Sequence, residues 1–399
     1  MEIAKKKILF ITTSSLAANP RLTKEIICLS KLFDCHVISY YHNDWTYPLT
    51  IDFQKTYSDV KFYTINRTKM SILRILSKMV HLLSIQLNSI FKNQPFIQSF
   101  ASNDKNIELI FSLFFTLKNQ NFYRIIAHNL GAFYPAYLYS ERFKIPLQLD
   151  VEDYYPGEKT YFNHKNEINN RLNVMQTCIN KAHTITYASK GIYLKCKEVF
   201  RFNDFTKHET IINSFPLTDF TNTPSKNSNR INCVWFSQHI SHGRGIDILF
   251  KIAKELPNYH FHFIGNKNEA YLSQFDVSSN IFFYKAMEQK ELHQFLCNMD
   301  VGLALEDELV DANRSICLTN KIITYAQAGL YIIATDTFGQ RDFLSNLTYK
   351  AGEIVEDNLI NSLKSIDFND LKEKEYRKIL AQSFSWEKEC EKIKKLIIA

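Results

Sequence analysis

The feature that most constrains the fold of this chain is a regular alternation of short apolar runs with segments of helical spacing. Apolar runs rich in β-branched and aromatic residues recur in the first half at residues 8–12, 36–40, 124–127, 147–151, 184–187 and 210–212. Segments with apolar residues at helical spacing lie between most of them. Repeated strand and helix units of this kind predict a parallel sheet that helices cover on both faces.

A second series of the same kind follows a polar segment that is rich in Asn, Ser, Thr and Pro. Its predicted strands lie at residues 233–236, 260–264, 281–284, 301–305 and 331–335, and its predicted helices at residues 246–256, 289–298, 320–328 and 341–345. Because 399 residues exceed what one hydrophobic core usually supports, we expect two doubly wound α/β domains.

The predicted boundaries follow from this pattern. They are a first domain at 1–215, a linker at 216–230, a second domain at 231–384 and a helix at 385–399 that crosses back to the first domain. Doubly wound sheets bind ligands at the carboxyl ends of their strands. We therefore expect a cleft between two facing domains, with the functional site in it.

Glycine is scarce and unevenly placed. Of ten glycines, three precede residue 240 and seven lie between Gly243 and Gly352. A bound phosphate needs close approach of the backbone and free N–H groups at a helix start. The first half lacks the G-x-G-x-x-G pattern of dinucleotide-binding proteins, so the second half is the better candidate for a phosphate site. A net charge of +7 favours an anionic partner without identifying it.

Cysteine spacing and hydropathy indicate the compartment. The eight cysteines never approach a C-x-x-C spacing, which argues against a zinc site or a disulfide framework and favours reduced thiols in the cytoplasm. The apolar run at residues 8–11 is too short for the core of a signal peptide, and no stretch approaches the about 20 apolar residues that span a bilayer. We therefore expect a cytoplasmic protein.

The segment between Asp59 and Asp104 contains six Lys or Arg residues and no acidic residue. Apolar residues recur in it at helical spacing. A basic amphipathic helix at 66–92 could lie on an anionic membrane surface, which would make the protein peripheral at the inner face of the membrane. The alternative is a helix whose apolar stripe packs on the sheet. Nucleic-acid binding is disfavoured, because the basic residues gather around this one segment without exposed aromatic residues in a sheet.

Two segments combine parts that could bind an anion. After the first strand come the small polar residues Ser14 and Ser15, followed by Asn19 and Arg21; the alternative interpretation is that Asn19 caps a helix that begins near Pro20. After the first strand of the second series, residues 236–246 contain Ser237, Arg244 and Gly245 at a helix start. Two glycines, a guanidinium group and a helix N-terminus can neutralise a diphosphate without a metal.

A second group of polar residues follows the predicted strand at 301–305. Glu306 comes directly after that strand, Asn313 and Arg314 follow, and Asn320 and Lys321 stand at the predicted start of the next helix. A carboxylate could bind sugar hydroxyl groups while the amide and ammonium groups bind phosphate. The alternative is a structural ion pair between Glu306 and Arg314 or Lys321, since a buried carboxylate needs a partner.

The second half resembles the donor domain of retaining, family 4-like glycosyltransferases of the GT-B fold. The resemblance rests on F-I-G at 263–265, D-V-G-L at 300–303, N-K-I at 320–322, A-G at 328–329 and I-I-A-T-D at 332–336. In the first half, ITTSSLAANPRLTKE at 11–25, A-H-N at 127–129 and D-V-E-D-Y-Y at 150–155 resemble bacterial cell-surface polysaccharide glycosyltransferases. The resemblance implies transfer of a sugar from a nucleotide-sugar donor to a glycan or lipid-linked acceptor, with retention of configuration, and with no cofactor and usually no metal.

The same resemblance implies roles for individual residues. His128 would lie near the donor sugar and the attacking hydroxyl, and Glu306 would bind hydroxyl groups of the donor sugar; these are the expected catalytic residues. The expected donor-binding residues are Ser237, Arg244, Gly245, Asn313, Arg314, Asn320, Lys321 and Thr324, with Arg244 on the diphosphate. The expected acceptor-side residues are Ser14, Ser15, Asn19, Arg21, Glu152 and Asp153.

The sequence departs from the family pattern at three places. Thr324 stands where the second glutamate of the E-x7-E pair is expected, Ser237 replaces a glycine of the phosphate loop, and Glu306, Glu308 and Asp311 compete for the first carboxylate. The missing glutamate leaves two alternatives open. One is a catalytically silent GT-B partner subunit, and the other is a GT-B nucleotide-sugar 2-epimerase.

Overall fold

The computed structural model describes residues 5–91, 93–161, 164–221, 230–242, 245–306, 312–355 and 358–398. Its packing divides the chain into two units. The first unit is Met1–Ile211 with Lys392–Ala399, and the second unit is Ile212–Glu391.

Within the described residues, the first unit is built on one parallel sheet. Its strands are β1 (Lys7–Thr12), β2 (Asp34–Tyr41), β3 (Lys61–Asn66), β4 (Arg124–His128), β5 (Leu147–Val151), β6 (Thr184–Tyr187) and β7 (Lys207–Thr210). The strand order is β3-β2-β1-β4-β5-β6-β7. The order reverses between β1 and β4, where Thr12 pairs with His128. The carboxyl ends of the strands at such a reversal are the usual ligand site of a doubly wound sheet.

The described helices of the first unit lie between or beside these strands in the chain. They are α1 (Pro20–Ser30), α2 (Thr46–Thr56), α3 (Ile72–Ile90), α4 (Pro95–Ser102), α5 (Asn106–Phe111), α6 (Leu130–Phe143), α7 (His164–Ile179) and α8 (Lys190–Val199). The start of α1 confirms the capping interpretation: the Asn19 side-chain oxygen accepts a hydrogen bond from the Leu22 N–H at 3.0 Å. Pro20 occupies the first helical turn, where a missing N–H costs nothing.

Helix α3 turns polar residues towards the unit and aliphatic residues outward. Its buried side chains are Ser77, Ser84 and Asn88. At 100° per residue these three lie within about 40° of one another on the helix surface. The interpretation in which the apolar stripe packs on the sheet is therefore wrong.

The second unit repeats the plan of the first. Its strands are β8 (Ile231–Ile240), β9 (Tyr259–Lys267), β10 (Ile281–Tyr284), β11 (Val301–Ala304), β12 (Tyr331–Ala334) and β13 (Gly352–Ile354). They pair in parallel in the order β10-β9-β8-β11-β12-β13. Its helices are α9 (Asp247–Ile252), α10 (Glu269–Leu272), α11 (Gln289–Leu296), α12 (Ala312–Ile316), α13 (Asn320–Gln327), α14 (Phe338–Ser345), α15 (Leu359–Lys364), α16 (Phe368–Lys372) and α17 (Lys374–Leu380). A last helix, α18 (Trp386–Ile398), ends the described chain.

The core of the second unit confirms that both faces of the sheet are covered. Trp235, Leu303 and Ile333 belong to one buried cluster. Their chain neighbours Val234, Ala304 and Ile332 belong to a second cluster. Successive residues of a strand point to opposite faces, so each strand supplies both clusters. This is the near-continuous apolar pattern of a buried parallel sheet.

Three strands differ from the sequence predictions. The strand predicted at 210–212 is instead β7, and β3 and β13 have no predicted counterpart. All three lie at sheet edges and consist largely of half-buried or exposed residues. An edge strand has one strand neighbour and less apolar surface to bury, so it lacks the apolar run on which the predictions relied.

The cysteines largely follow expectation. Cys35, Cys178, Cys196, Cys233, Cys297 and Cys317 are free thiols. Cys28 and Cys390 are disulfide-bonded, so for these two the prediction of reduced thiols is wrong. Among the described residues, no helix has the length and apolar character that crossing a bilayer requires.

Candidate functional site

Each unit places a group of polar residues at the carboxyl ends of its strands. In the first unit, β1 and β4 are linked there by Asn129. Its side chain accepts a hydrogen bond from the Thr13 hydroxyl at 2.6 Å and donates one to the Thr12 hydroxyl at 2.7 Å. Asn129 has a φ of +62°, a backbone conformation that asparagine tolerates better than most residues. The turn after β4 is therefore fixed to the turn after β1.

A cluster of buried charges lies beneath this turn. His128 Nε2 is 3.2 Å from a Glu25 oxygen, and Nδ1 is 3.2 Å from Asp150 and 3.0 Å from Glu152. Arg21 forms a two-pronged ion pair with Asp150, at 2.6 and 2.7 Å. Burial alone would lower the pKa of His128, but the surrounding carboxylates outweigh burial and hold that pKa well above its ordinary value. The cluster therefore contains two cations and three carboxylates.

This cluster determines the environment of the expected catalytic histidine. The ring of His128 is fully buried and its nitrogens face carboxylates on both sides. Glu25, His128 and Asp150 also place ligand atoms close enough for a metal ion. Asp150, however, already accepts two hydrogen bonds from the Arg21 guanidinium group, which places a cation beside these ligand atoms. The donor set thus fits an ion-pair network better than a metal site.

The expected acceptor-side residues divide into two groups. Asn19, Arg21 and Glu152 belong to the cluster, since the Asn19 side chain donates a hydrogen bond to Glu152 at 2.8 Å and Arg21 binds Asp150. The remaining three lie on the neighbouring loops: Ser14 and Asp153 are half-buried and Ser15 is buried. The structure therefore brings half of the predicted residues together around His128.

A polar cavity of about 260 Å³ opens beside the same strand ends in the first unit. Its lining includes Thr13, Asn103, Gly131, Tyr155 and Arg171. The Tyr155 hydroxyl is buried and has no hydrogen-bond partner among the described residues. Burial and nearby carboxylates raise the pKa of Tyr155 well above its ordinary value, so the hydroxyl keeps its proton and can donate. The sequence prediction missed this residue although it ends the D-V-E-D-Y-Y segment.

The corresponding group in the second unit is an ion pair between Glu306 and Lys321. Both side chains are buried, with 6% of Glu306 and 7% of Lys321 exposed, and a Glu306 carboxylate oxygen accepts a hydrogen bond from the Lys321 ammonium group. The Glu306 backbone N–H donates to the Thr335 hydroxyl at 3.0 Å, which ties the end of β11 to the end of β12. Lys321 also lies 5.8 Å from the centre of the Trp235 ring.

The start of α13 lies beside this pair. Its N-cap residue, Thr319, makes no side-chain capping hydrogen bond, so the first N–H groups of the helix are not satisfied by their own cap. Asn320 is exposed, and its side-chain oxygen accepts a hydrogen bond from Asn213 at 3.0 Å. Thr324, at the position of the expected second glutamate, is fully buried and donates to the Asn320 carbonyl at 2.6 Å.

The glycine loop after β8 approaches the same point. Gly245 has a φ of +67°, and a Cβ atom at this position would lie 3.3 Å from Leu305 Cβ and 3.5 Å from the Glu306 nitrogen. Ser237 is half-buried within β8, at the irregularity in its pairing with β9 between Phe236 and His239. Gly245 thus lies close to the Glu306 backbone, where there is little room for a side chain. Arg244, the residue expected on the diphosphate, lies outside the described residues.

The segment between β11 and α13 is only partly described. Asn313 is buried on α12 and Arg314 is half-buried. Glu308 and Asp311 lie outside the described residues. Glu306, the candidate for the first carboxylate that lies within the described residues, pairs with Lys321.

No family model and no curated protein matches the sequence. Solved structures, in contrast, match almost the whole chain. HepE from Anabaena, in complex with UDP and glucose, has a TM-score of 0.65 and 13% identity, covering 98% of this chain and 99% of that one. A glycosyltransferase from Rickettsia africae has a TM-score of 0.66 and 13% identity, covering 99% and 98%. Sucrose-phosphate synthase from Thermosynechococcus elongatus has a TM-score of 0.64 and 10% identity, covering 98% of both chains.

Identities this low establish the architecture and not the activity. The architecture is consistent in two respects: both units are parallel, doubly wound sheets, and the match extends over both of them. The fold predicted from the sequence is confirmed, and the chain has the GT-B fold that these glycosyltransferases share.

Proposed function

We propose that this protein transfers a sugar from a nucleotide-sugar donor to a glycan or lipid-linked acceptor, with retention of configuration, in the synthesis of a cell-surface polysaccharide. The observation that carries this proposal is the buried pair of Glu306 and Lys321 at the carboxyl end of β11, beside the start of α13. It joins a carboxylate suited to sugar hydroxyls with a cation suited to phosphate. The reaction would take place in the cytoplasm, at the inner face of the membrane.

The chemistry of the donor half follows from these groups. When the glycosidic bond to the nucleotide breaks, negative charge develops on the departing diphosphate. Lys321, the N–H groups at the start of α13 and the Arg244 guanidinium would stabilise that charge, because donors fixed in advance need no reorganisation during the reaction. We propose that these donors take the place of a divalent metal at the diphosphate and that the reaction needs no metal.

On this mechanism the acceptor hydroxyl attacks from the side of the leaving group, which removes the need for a distant base. We assign His128 a positioning role in place of the catalytic role expected from the sequence. Its ring is enclosed by Glu25, Asp150 and Glu152 and adjoins Asn129, whose side chain fixes the turns after β1 and β4. The polar cavity at Tyr155 is the candidate position for an acceptor hydroxyl.

Uridine nucleotides are the first donors to test. HepE, similar in fold, has been solved with UDP and with UDP-glucose. A nucleotide present at 100 times its dissociation constant should raise the free energy of unfolding by about 2.7 kcal/mol. We expect UDP to raise the thermal unfolding midpoint in a panel with GDP, ADP and CMP, and a protein that responds to none of the four would refute the donor site.

Arg244→Ala should abolish the UDP-induced shift, because it removes the guanidinium group expected on the diphosphate. Arg341→Ala is the matched control: Arg341 is exposed, lies in the same unit and pairs only with Asp336 among the described residues. If Arg244→Ala and Arg341→Ala both respond to UDP like the unaltered protein, the diphosphate does not bind at the glycine loop.

A silent partner subunit is the second candidate, and Thr324 favours it. Thr324 has no carboxylate to bind the nucleotide ribose at the position where the second glutamate is expected. Its hydroxyl group donates a hydrogen bond to the Asn320 carbonyl instead. Release of free UDP from a UDP-sugar in the presence of acceptor distinguishes the two, because a silent subunit releases none. A nucleotide-sugar 2-epimerase would instead alter the donor without any acceptor, which analysis of the recovered nucleotide sugar detects.

A further inference from the structure

The outward face of α3 is a large apolar surface. Its exposed aliphatic side chains are Ile72, Ile75, Leu76, Met79, Leu82, Leu83, Ile85, Leu87 and Ile90. Most of them lie opposite the buried stripe of Ser77, Ser84 and Asn88 on a helix of 19 residues, about 28 Å long at 1.5 Å per residue. Monomeric soluble proteins rarely expose an apolar patch of this extent without a partner.

Specific hydrogen bonds hold α3 in this orientation. The Ser77 hydroxyl donates to the Asp104 carbonyl at 2.6 Å, the His81 Nδ1 atom lies 2.8 Å from the Phe100 carbonyl, and the Asn88 amide donates to Asn170 at 2.9 Å. Turning the apolar side inward would break all three and leave polar groups unsatisfied, at a cost for each. The outward position of the aliphatic residues is therefore built into the unit.

We propose that the outward face of α3 docks on a phospholipid bilayer, with its aliphatic side chains inserted into the interface. Three observations favour a bilayer over a protein partner. The surface presents nine exposed apolar side chains with no Trp or Tyr among them, whereas protein interfaces centre on Trp, Tyr and Arg. Residues 60–103 contain no acid. Lys69 and Lys78 are exposed, and no ion pair to either is found among the described residues.

Insertion, and not charge, should supply most of the affinity. Arg67 is buried and pairs with Glu108 and Asp104, so its charge is not available to lipid headgroups. Lys61 pairs with Asp34, and Lys92 lies outside the described residues. This revises the expectation for the 66–92 segment: the protein should bind uncharged, zwitterionic bilayers, and anionic lipid should strengthen binding only a few-fold through Lys69 and Lys78.

The docking surface lies wholly in the first unit and is independent of the donor site in the second. It would bring the chain to the surface where a lipid-linked acceptor resides, and to that extent it deepens the proposed function. Its test reads binding to lipid and not sugar transfer. A failure of one proposal is therefore distinguishable from a failure of the other.

The experiment is co-sedimentation of the full chain with vesicles of phosphatidylcholine alone and with vesicles that also contain phosphatidylglycerol. The unaltered protein should sediment with both, and about 0.5 M salt, which shortens the Debye length to about 4 Å, should not release it. Leu76→Glu with Leu83→Glu should lower the partition coefficient at least tenfold. Leu194→Glu is the matched control, because Leu194 is an exposed leucine of α8 in the same unit.

Three results would overturn the proposal. The first is an unaltered protein that sediments with neither kind of vesicle. The second is a double variant that sediments with vesicles as the unaltered protein does. The third is an unaltered protein that forms a dimer and does not bind vesicles, while the double variant is a monomer. The last would mean that a second copy covers the face. Leu83→Trp provides a reading that does not depend on the double variant folding: its added fluorescence should shift to shorter wavelength with vesicles and be quenched by brominated lipid, and an unchanged spectrum would refute insertion.

Discussion

Replacing Lys321 with methionine tests whether its pair with Glu306 is a desolvated charge pair. Both side chains are more than nine-tenths buried, so removal of either one takes from the other its oppositely charged partner. Such a loss costs about 3–5 kcal/mol, a large part of the about 5–15 kcal/mol that stabilises a typical domain. We expect Lys321→Met and Glu306→Gln each to lower the free energy of unfolding by this amount. The double variant should lose much less than the sum, because it leaves neither charge behind.

The measurement is urea unfolding of the unaltered protein, the two single variants and the double variant, which form a double-mutant cycle. Lys350→Met is the matched control, because Lys350 pairs with Asp370 in the same unit but its side chain is 60% exposed. Exposed pairs are worth about 0–1 kcal/mol. A loss below about 1 kcal/mol in Lys321→Met would show that water reaches the pair and would refute the reasoning.

Ligand binding separates the two halves of the pair. Calorimetric titration should show that Lys321→Met loses affinity for both UDP and the UDP-sugar, because the ammonium group is assigned to the diphosphate. Glu306→Gln should bind UDP as well as the unaltered protein and bind the UDP-sugar more weakly, because the carboxylate is assigned to the sugar hydroxyls. Unchanged UDP affinity in Lys321→Met would place the diphosphate elsewhere.

Three further substitutions test the protonation of His128 and the packing at Gly302 and Ile393. Burial opposes the charge of His128, yet its carboxylate neighbours hold its pKa well above the ordinary value. The folded chain therefore keeps a proton that the unfolded chain loses above about pH 6.5. The free energy of unfolding should fall as pH rises past that point, by up to about 1.4 kcal/mol per pH unit. Urea unfolding of His128→Gln across the same pH values should lack that fall, and an identical slope would show that His128 is neutral. Gly302→Ala should cost about 1–3 kcal/mol, because its Cβ would lie 2.3 Å from the Tyr325 ring, and an unchanged unfolding midpoint would contradict that close approach. Ile393→Ala should cost about 2–5 kcal/mol in urea unfolding, since this side chain of α18 is fully buried, whereas exposed Ile398 should tolerate the same change.

The buried strands and the helix starts could be predicted from the sequence because they depend on local patterns. The central strand β1 reads as an apolar run, and Asn19 followed by Pro20 marks the start of α1 by its own capping chemistry. Helix α13 begins at Asn320 as predicted. Edge strands such as β3 lack this signal, because half of their surface faces water.

The orientation of α3 could not be predicted in the same way. Helical periodicity shows that a segment has two different faces, but it does not say which face the rest of the chain will accept. That choice depends on the carbonyl groups of Phe100 and Asp104 and on Asn170, whose positions are set by tertiary structure. Hydrophobic residues usually face inward, so the general rule gave the wrong answer here.

The site was predictable as a set of residue types but not as a set of contacts. Glu306 was expected to hold hydroxyl groups of the donor sugar and Lys321 to bind the donor, with an ion pair of Glu306 and Arg314 or Lys321 as the alternative; the structure pairs Glu306 with Lys321. His128 was expected near the donor sugar and the attacking hydroxyl, and Glu25, which was not predicted to be part of the site, lies against its Nε2 atom. No spacing in the sequence links Glu25 to His128, because β1, α1 and β4 come together only in the folded sheet.

The outward face of α3 also determines how the isolated protein behaves in water. Without lipid, the same side chains can be shielded only by other copies of the chain or by detergent, so the amount of dispersed protein should fall as its concentration rises. Rates measured per molecule would then decline at high concentration and recover with mild detergent, although the donor pocket is unchanged. A low turnover measured without lipid or detergent would thus reflect association of the chain through α3, and it would not by itself describe the chemistry at Glu306.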